Sequence, residues 1–390
     1  MHTGGERDVP AERATPSPVM VLGSAAEPWP VPGCACVACR SGTPASATSL
    51  RVGEVDLLEG RVTTPDGPVA LRAGERYASG DVRIAALPGP SPDHPVLVVG
   101  LPGPSRALLW SAGSGDLPDG TLAALAGAGL DGVAIDVRAA GGRPEPRHLA
   151  HTLARLRTAG ALAPGCDVIA IGLTHELAPE VLTRRLGWWG ARIAVDGEPF
   201  PAAPPGRSPE PLRTLVLGPA SSGKSAVAED MLAAQPQVLY AATGPRPDAE
   251  QQAAGDGWAD RVAAHRARRP AWWATDETGD LARLLEQTGP PLLVDALGTW
   301  LAAAMDRAGA WDDAPGWRSR VGGEVDALVA AWRQTRRRVV AVGEEVGWGV
   351  LPADGGIAAF RELLGGLARR LAGESEQVVL VVAGRVQELT

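Results

Sequence analysis

Leu215-Val216-Leu217-Gly218-Pro219-Ala220-Ser221-Ser222-Gly223-Lys224-Ser225 decides the reading of this chain. An apolar run enters a loop that is flanked by glycines and ends in Lys-Ser. Ala226-Val227-Ala228-Glu229-Asp230-Met231-Leu232 then reads as a helix. Gly218 to Ser225 fits G-x-x-x-x-G-K-[ST] in full, between the strand and the helix that the motif requires. Its glycines let the backbone curl so that successive N–H groups face phosphate oxygens, and the helix adds its positive N-terminal end. In such a loop Lys224 reaches the β- and γ-phosphates and Ser225 holds Mg²⁺. An ordinary Gly/Ser-rich turn would not bring strand, loop and helix signals into agreement.

Working outward, 390 residues suggest two domains, and 45% hydrophobic content is ample for packed cores. A net charge of −8 argues against nucleic acid or a membrane surface as the main partner. No apolar run reaches transmembrane length and the start lacks a signal-peptide layout, so the expected location is cytoplasmic. Residues 1–18 are expected to be a disordered lead, being polar and without periodicity. Residues 199–211, dense in proline, read as a semi-rigid linker between a domain at 19–198 and one at 212–390.

The first domain shows strand-like runs at Val19–Leu22, Val69–Leu71, Val82–Leu87, Val96–Val99, Ala107–Trp110, Gly132–Asp136 and Val168–Ile171. Helical stretches stand at Thr121–Gly127 and Arg147–Thr158. Cys34, Cys36 and Cys39 form a C-x-C-x-x-C tract. Three thiolates can converge on one Zn²⁺, but a closed site wants a fourth ligand; three unconnected thiols are the other reading. Val21-Leu22-Gly23-Ser24, Trp29-Pro30, the Cys tract, Leu108-Leu109-Trp110 and Gly172-Leu173-Thr174-His175 resemble metallo-β-lactamase-like proteins, in the branch of the phosphoribosyl cyclic phosphodiesterases. That resemblance implies an αββα sandwich and a structural zinc on Cys34, Cys36, Cys39 and His175. It also implies a catalytic dimetal site, yet the H-x-H-x-D-H motif is missing and Gly172 stands where a ligand histidine is expected. The first half therefore reads as a degenerate hydrolase-like shell that kept its staple.

In the second half, apolar strands alternate with helices, the pattern of a mostly parallel sheet covered on both faces. Leu292-Leu293-Val294-Asp295 closes on an acid in the Walker-B manner, placing a carboxylate near the loop's Mg²⁺. Between Ala259 and Arg269 four arginines surround His265, as a solvated face or as a cationic rim for polyphosphate.

The set of motifs over 213–390 resembles the bifunctional adenosylcobinamide kinase/adenosylcobinamide-phosphate guanylyltransferase family of P-loop enzymes. It comprises Gly218–Ser225, Tyr240-Ala241-Ala242-Thr243, His265 with Arg269-Pro270-Ala271-Trp272, Val294-Asp295 with Trp300-Leu301, and Glu345-Val346-Gly347-Trp348-Gly349. The resemblance implies phosphorylation of adenosylcobinamide by ATP or GTP, then transfer of GMP from GTP through a GMP-histidine at His265. Nucleotide contacts are implied at Ala242, Thr243, Gly244, Arg266, Ala267, Arg268, Arg269, Glu277 and Asp295. Adenosylcobinamide and its phosphate would be the substrates, and a homo-oligomer, a trimer in the family, and docking to other corrinoid enzymes are conceivable. A GTP-binding regulatory or scaffolding fusion is the alternative. Several positions depart from the family: Gly343-Glu344 for Thr/Ser-Asn, Ala368-Arg369 for Asn-Gln, and Ala296 and Gly298 for Cys and Thr.

Overall fold

A computed structural model describes residues 19–26, 31, 34–36, 39, 47–58, 61–101, 106–201, 210–245, 258–349 and 352–389. The lead at 1–18, Trp29-Pro30 and the middle of the linker, 202–209, lie outside them. The chain divides into two compact units, one built mainly of residues before the linker and the other mainly of residues after it.

In the first unit, β1 (Val19–Gly23), β2 (Ser49–Val52), β3 (Val55–Leu58), β4 (Arg61–Thr64) and β5 (Gly67–Ala70) form an antiparallel sheet in chain order. These strands are short, and turns such as Gly53 (φ 61°) reverse the chain between them. A second sheet holds β6 (Arg76–Ser79), β7 (Val82–Ser91), β8 (His94–Leu101), β9 (Arg106–Ser111), β10 (Leu130–Asp136), β11 (Leu162–Ile171) and β12 (Arg192–Ile193), also in chain order. Its first four strands pair antiparallel. Its last four pair parallel. The parallel strands are joined by α1 (Asp119–Ala124), α2 (Pro146–Thr158) and α3 (Pro179–Trp189).

The two sheets face each other. Val21, Leu50, Leu57 and Val62 of one share a core with Ile84, Leu97, Leu108, Trp110 and Ile169 of the other. Val133 and Ile135 point to the opposite face of β10 and are buried as well. Right-handed crossovers stepping one way across the sheet direct its connecting helices to that face, although residues 150–158 of α2 and 187–189 of α3 cluster with the second unit. The layers are thus sheet, sheet, helices. Among the described residues no helix forms the fourth layer that an αββα sandwich needs over the five-stranded sheet. The outward face of that sheet is charged, with Arg51 hydrogen-bonded to Asp56 at 2.7 Å, and this suits water rather than a helix.

The second unit contains β13 (Arg213–Gly218), α4 (Lys224–Leu232), β14 (Leu239–Ala242), α5 (Trp258–Arg268), β15 (Ala274–Asp276), α6 (Leu281–Glu286), β16 (Leu292–Asp295), α7 (Leu297–Arg307), α8 (Trp317–Gln334), β17 (Val339–Glu344), α9 (Gly355–Ala372), β18 (Gln377–Val382) and β19 (Arg385–Glu388). The sheet order is β15-β14-β16-β17-β13-β18-β19, parallel except for the β18–β19 hairpin. Both faces are buried, because alternate residues of each strand enter different cores. Leu215, Val294 and Ala341 face one; Val216, Leu293 and Val340 face the other. The chain leaves β13 toward one side and returns to its other side only with β18. The order reverses beside β13, where open α/β sheets gather ligands. No helix among the described residues is long and apolar enough to cross a membrane.

Candidate active site

β13 ends at Gly218, and Gly223 (φ 92°) turns the loop into α4. A Cβ on Gly218 would lie 2.6 Å from the Val381 carbonyl oxygen and from Ser222 Oγ, so the turn admits no side chain. Lys224 Nζ donates to the Pro219 carbonyl at 3.2 Å, a contact that a phosphate could replace. Ala220 to Ser225 line a cavity of about 870 Å³; Gly218 and Pro219 do not.

Asp295, at the end of β16, is the hub of this cavity. β17 lies between β16 and β13, so the acid reaches the loop from two strands away. Asp295 Oδ1 accepts from Ser225 Oγ at 3.1 Å, and Oδ2 accepts from Tyr240 OH at 2.6 Å. His265 Nδ1 lies 3.2 Å from the same Oδ2. Burial by itself would raise the Asp295 pKa. Hydrogen bonds from His265 and Tyr240, the His265 charge and the Ser225 hydroxyl outweigh it and hold the carboxyl below its usual value. Burial first, then the Asp295 charge, push the Tyr240 phenol far above its ordinary value, so it remains a donor. Ser225 and Asp295 thus converge as a Mg²⁺ pair would, and Asp295 also anchors the histidine.

The arginines around His265 do not act as one rim. Arg268 makes two hydrogen bonds to buried Glu229 on α4, at 3.1 and 3.2 Å, which clasps α5 to the helix after the loop. Arg269 lies over the Tyr240 ring at 3.8 Å and donates to the His265 carbonyl at 3.1 Å. Arg266 reaches Glu277 at 3.4 Å on the cavity edge. Ala242, Gly244 and all three arginines line the cavity; Ala267 does not, because it sits on another side of α5. Thr243 is also absent from the wall. Its hydroxyl is buried between Ala296 and Thr299, at 2.6–2.8 Å, and braces the strand end. The side chain of Arg261 lies outside the described residues.

Sequence reasoning assigned no role to Tyr240, Glu229 or Glu344. Glu229 had a legible signal: it stands one helical turn beyond Ser225, on the same face. Tyr240 and Glu344 had none, since their partners, Asp295 on β16 and Gly298 in α7, lie far away in sequence.

In the first unit, Cys34, Cys36, Cys39 and His175 bring four donor atoms within 4.8 Å of one another. Cys34 Sγ and Cys36 Sγ lie 3.4 and 3.5 Å from His175 Nδ1. Donors on a tetrahedral zinc, with bonds of about 2.0–2.3 Å, stand roughly 3.5 Å apart, so the set fits that ion. The backbone N–H of Cys39, then His175, lower the Cys36 thiol to about 6, favouring the thiolate a metal needs. Gly172 (φ 67°) has a different neighbour. A Cβ there would lie 2.2 Å from the carboxylate of buried Asp136. Arg138 ties off that carboxylate, Nε at 2.9 Å and Nη2 at 2.5 Å. No histidine fits at 172 while this pair stands.

Comparison with known proteins meets the second unit. The family model for cobinamide kinase/cobinamide phosphate guanyltransferase, CobU, matches residues 214–389. The bifunctional adenosylcobalamin biosynthesis protein CobU of Salmonella typhimurium is 33% identical over 184 residues, which cover 44% of this chain and 95% of that protein. CobP of Pseudomonas aeruginosa, of the same description, is 36% identical over 179 residues, with 94% of its length covered. CobU of Escherichia coli K12 is 32% identical over 179 residues, with 95% covered. The phosphate-binding loop, Asp295 and His265 all lie within the matched residues, and through its second half the chain belongs to the cobinamide kinase/cobinamide phosphate guanyltransferase family.

Proposed function

We propose that the second unit phosphorylates adenosylcobinamide and then transfers GMP from GTP to the new phosphate, forming adenosylcobinamide-GDP, as a step of cobalamin assembly. The observation that carries this reading is the contact between His265 Nδ1 and Asp295 Oδ2 at the phosphate-binding loop. With its Nδ1–H donated to the carboxylate, the neutral imidazole keeps its lone pair on Nε2. That nitrogen attacks the α-phosphorus of GTP, and the bond to pyrophosphate breaks. Asp295 holds the Nδ1 proton and offsets the imidazolium charge. A phosphate oxygen of adenosylcobinamide phosphate then attacks the same phosphorus, and the P–N bond breaks to restore neutral His265. Lys224 and the loop N–H groups hold the phosphates; Arg266 and Arg269 stand where they can offset the developing charge. Ser225 and Asp295 would hold Mg²⁺, which when bound neutralises charge on the phosphate oxygens.

Incubation with α-labelled GTP tests this. An acid-labile, base-stable adduct should form on the wild-type protein and be missing from His265→Ala; equal labelling of the two would remove His265 as nucleophile.

For the first unit the reading is a hydrolase-like shell without catalytic metals, held by one structural zinc on Cys34, Cys36, Cys39 and His175. The donor spacing supports the zinc. The Asp136–Arg138 pair against Gly172 supports the loss of the hydrolytic site. Metal analysis of the full chain should find about one zinc per chain, and two or more with phosphodiesterase activity would overturn it.

A further inference from the structure

Two departures from the family pattern far apart in sequence, Gly298 and Glu344, meet beside the cavity. Glu344 ends β17 and pairs in register with Gly218, the first glycine of the phosphate-binding loop. Its Oε2 accepts from the Gly298 backbone N–H at 2.8 Å, in the first turn of α7. A Cβ on Gly298 would lie 2.5 Å from that oxygen and 3.2 Å from Oε1, so the carboxylate occupies the space a side chain would need. Gly343 is bare for a similar reason, since a Cβ there would lie 2.9 Å from Leu217 Cδ2. The glycine at 298 and the glutamate at 344 are therefore one fitted arrangement. It delivers a carboxylate into the cavity wall that also carries Lys224, Ser225 and Asp295.

The Gly298 N–H holds the side chain through Oε2. The carboxylate lines the cavity together with Lys224, the lysine that receives the terminal phosphate of a triphosphate. An acceptor alcohol attacking that phosphate must lose a proton close to this point. Of the other carboxylates on the wall, Asp295 is already bonded by Ser225, Tyr240 and His265, and Glu277 by Arg266. Burial pushes the Glu344 carboxyl above its ordinary value, against the pull of the Gly298 N–H, which makes it a better proton acceptor than an exposed glutamate.

We propose that in this chain Glu344 is the general base of the phosphorylation half-reaction, a role the Asn of the family pattern could not fill, and that Gly298 is the space that admits it. The alcohol oxygen forms a bond to the γ-phosphorus while its proton passes to Glu344 Oε1. The bond from the γ-phosphorus to the bridging oxygen breaks, and the nucleoside diphosphate leaves with that electron pair. The carboxylic acid then returns its proton to solvent. The transfer of GMP does not use Glu344, because its nucleophiles, Nε2 of His265 and a phosphate oxygen, carry no proton to remove. This rests on the kinase reading above.

Glu344→Gln is the decisive variant, because its amide oxygen still accepts from Gly298 N–H while the side chain can no longer take a proton. Full-length wild type and variant are compared with γ-labelled nucleoside triphosphate plus adenosylcobinamide, and separately with α-labelled GTP alone. The expected result is a fall of about a hundredfold or more in phosphorylation kcat, the usual worth of a positioned base. KM for nucleotide should stay within about threefold, and so should the rate of histidine labelling, as expected for groups that act only in the transition state. Phosphorylation by the Gln variant within about fivefold of wild type overturns the proposal. So does a loss that extra Mg²⁺ restores, which would make Glu344 a metal-holding group. Wild type that labels His265 but phosphorylates nothing would instead sink the kinase reading itself, and this assignment with it. Gly298→Ala gives an independent check: it should displace Glu344 and reproduce the selective loss.

Discussion

Asp136 in the first unit and Asp295 in the second are both buried acids at the end of a parallel strand, and their partners separate them. Asp136 is satisfied by Arg138, two residues along the same chain. Gly172 leaves no room beside that carboxylate for a ligand of side-chain size. Asp295 is bonded by Ser225, Tyr240 and His265, which come from three other elements and meet on a cavity wall. An ion pair between residues two apart in the chain keeps a fold in order. A carboxylate shared between a serine at a phosphate loop and an imidazole remains available for chemistry. An acid at a strand end is therefore read by where its partners come from, more than by its burial.

The comparison can be broken most sharply at the second acid's partners. His265→Ala should abolish GMP-adduct formation outright, and Lys224→Ala should abolish nucleotide binding with it; retention of either by filter binding would break the assignment. Asp295→Asn removes both the Ser225 acceptor and the imidazole anchor, so both half-reactions should fall by about a hundredfold to ten-thousandfold. Asp136→Asn, its counterpart, should leave both rates within about twofold and lower only the thermal midpoint. Chelation of zinc, or Cys36→Ser, should unfold the first unit while histidine labelling by GTP persists, as circular dichroism and labelling on the same sample would report. Tyr240→Phe removes one hydrogen bond to a charged acceptor, worth about 1.5–3 kcal/mol, and should slow labelling by roughly tenfold or a little more. The smallest effect is in acid. Because the Asp295 pKa is depressed on folding, its contribution is present above the unfolded value of about 3.9 and is lost as pH falls through the folded one. Asp295→Asn should flatten that loss below about pH 4.

Much of the second unit was legible because its signals are local. The phosphate loop carries its own strand and helix, and each buried strand of the sheet announces itself as an apolar run. Three elements were not. β15 is three residues long, α6 is six with an Asp280 cap, and β19 exists only as the return arm of a hairpin. In the first unit β2, β3 and β4 carry four residues each, too few for periodicity to stand out, and α3, which follows the Gly172–His175 motif, was not read as a helix. The site followed the same rule. Lys224, Ser225, His265 and Asp295 sit in recognisable spacings. That Asp295 would hold both the serine and the histidine depends on β17 being inserted between β16 and β13, which no spacing reveals. Gly298 and Glu344 looked like separate departures until the fold set one against the other.

The hairpin of β18 and β19 carries a further consequence. Its turn, Ala383-Gly384, reaches back so that Gly384 N–H donates to the Ser222 carbonyl at 2.8 Å, while the Val381 carbonyl packs against Gly218. Residues 377–388 thus form one wall of a loop laid down some 160 positions earlier. During synthesis the phosphate loop stays without that wall until the hairpin has left the ribosome. Nascent chains lacking it should neither bind nucleotide nor phosphorylate substrate, so the order of translation itself delays activity until the sheet is whole.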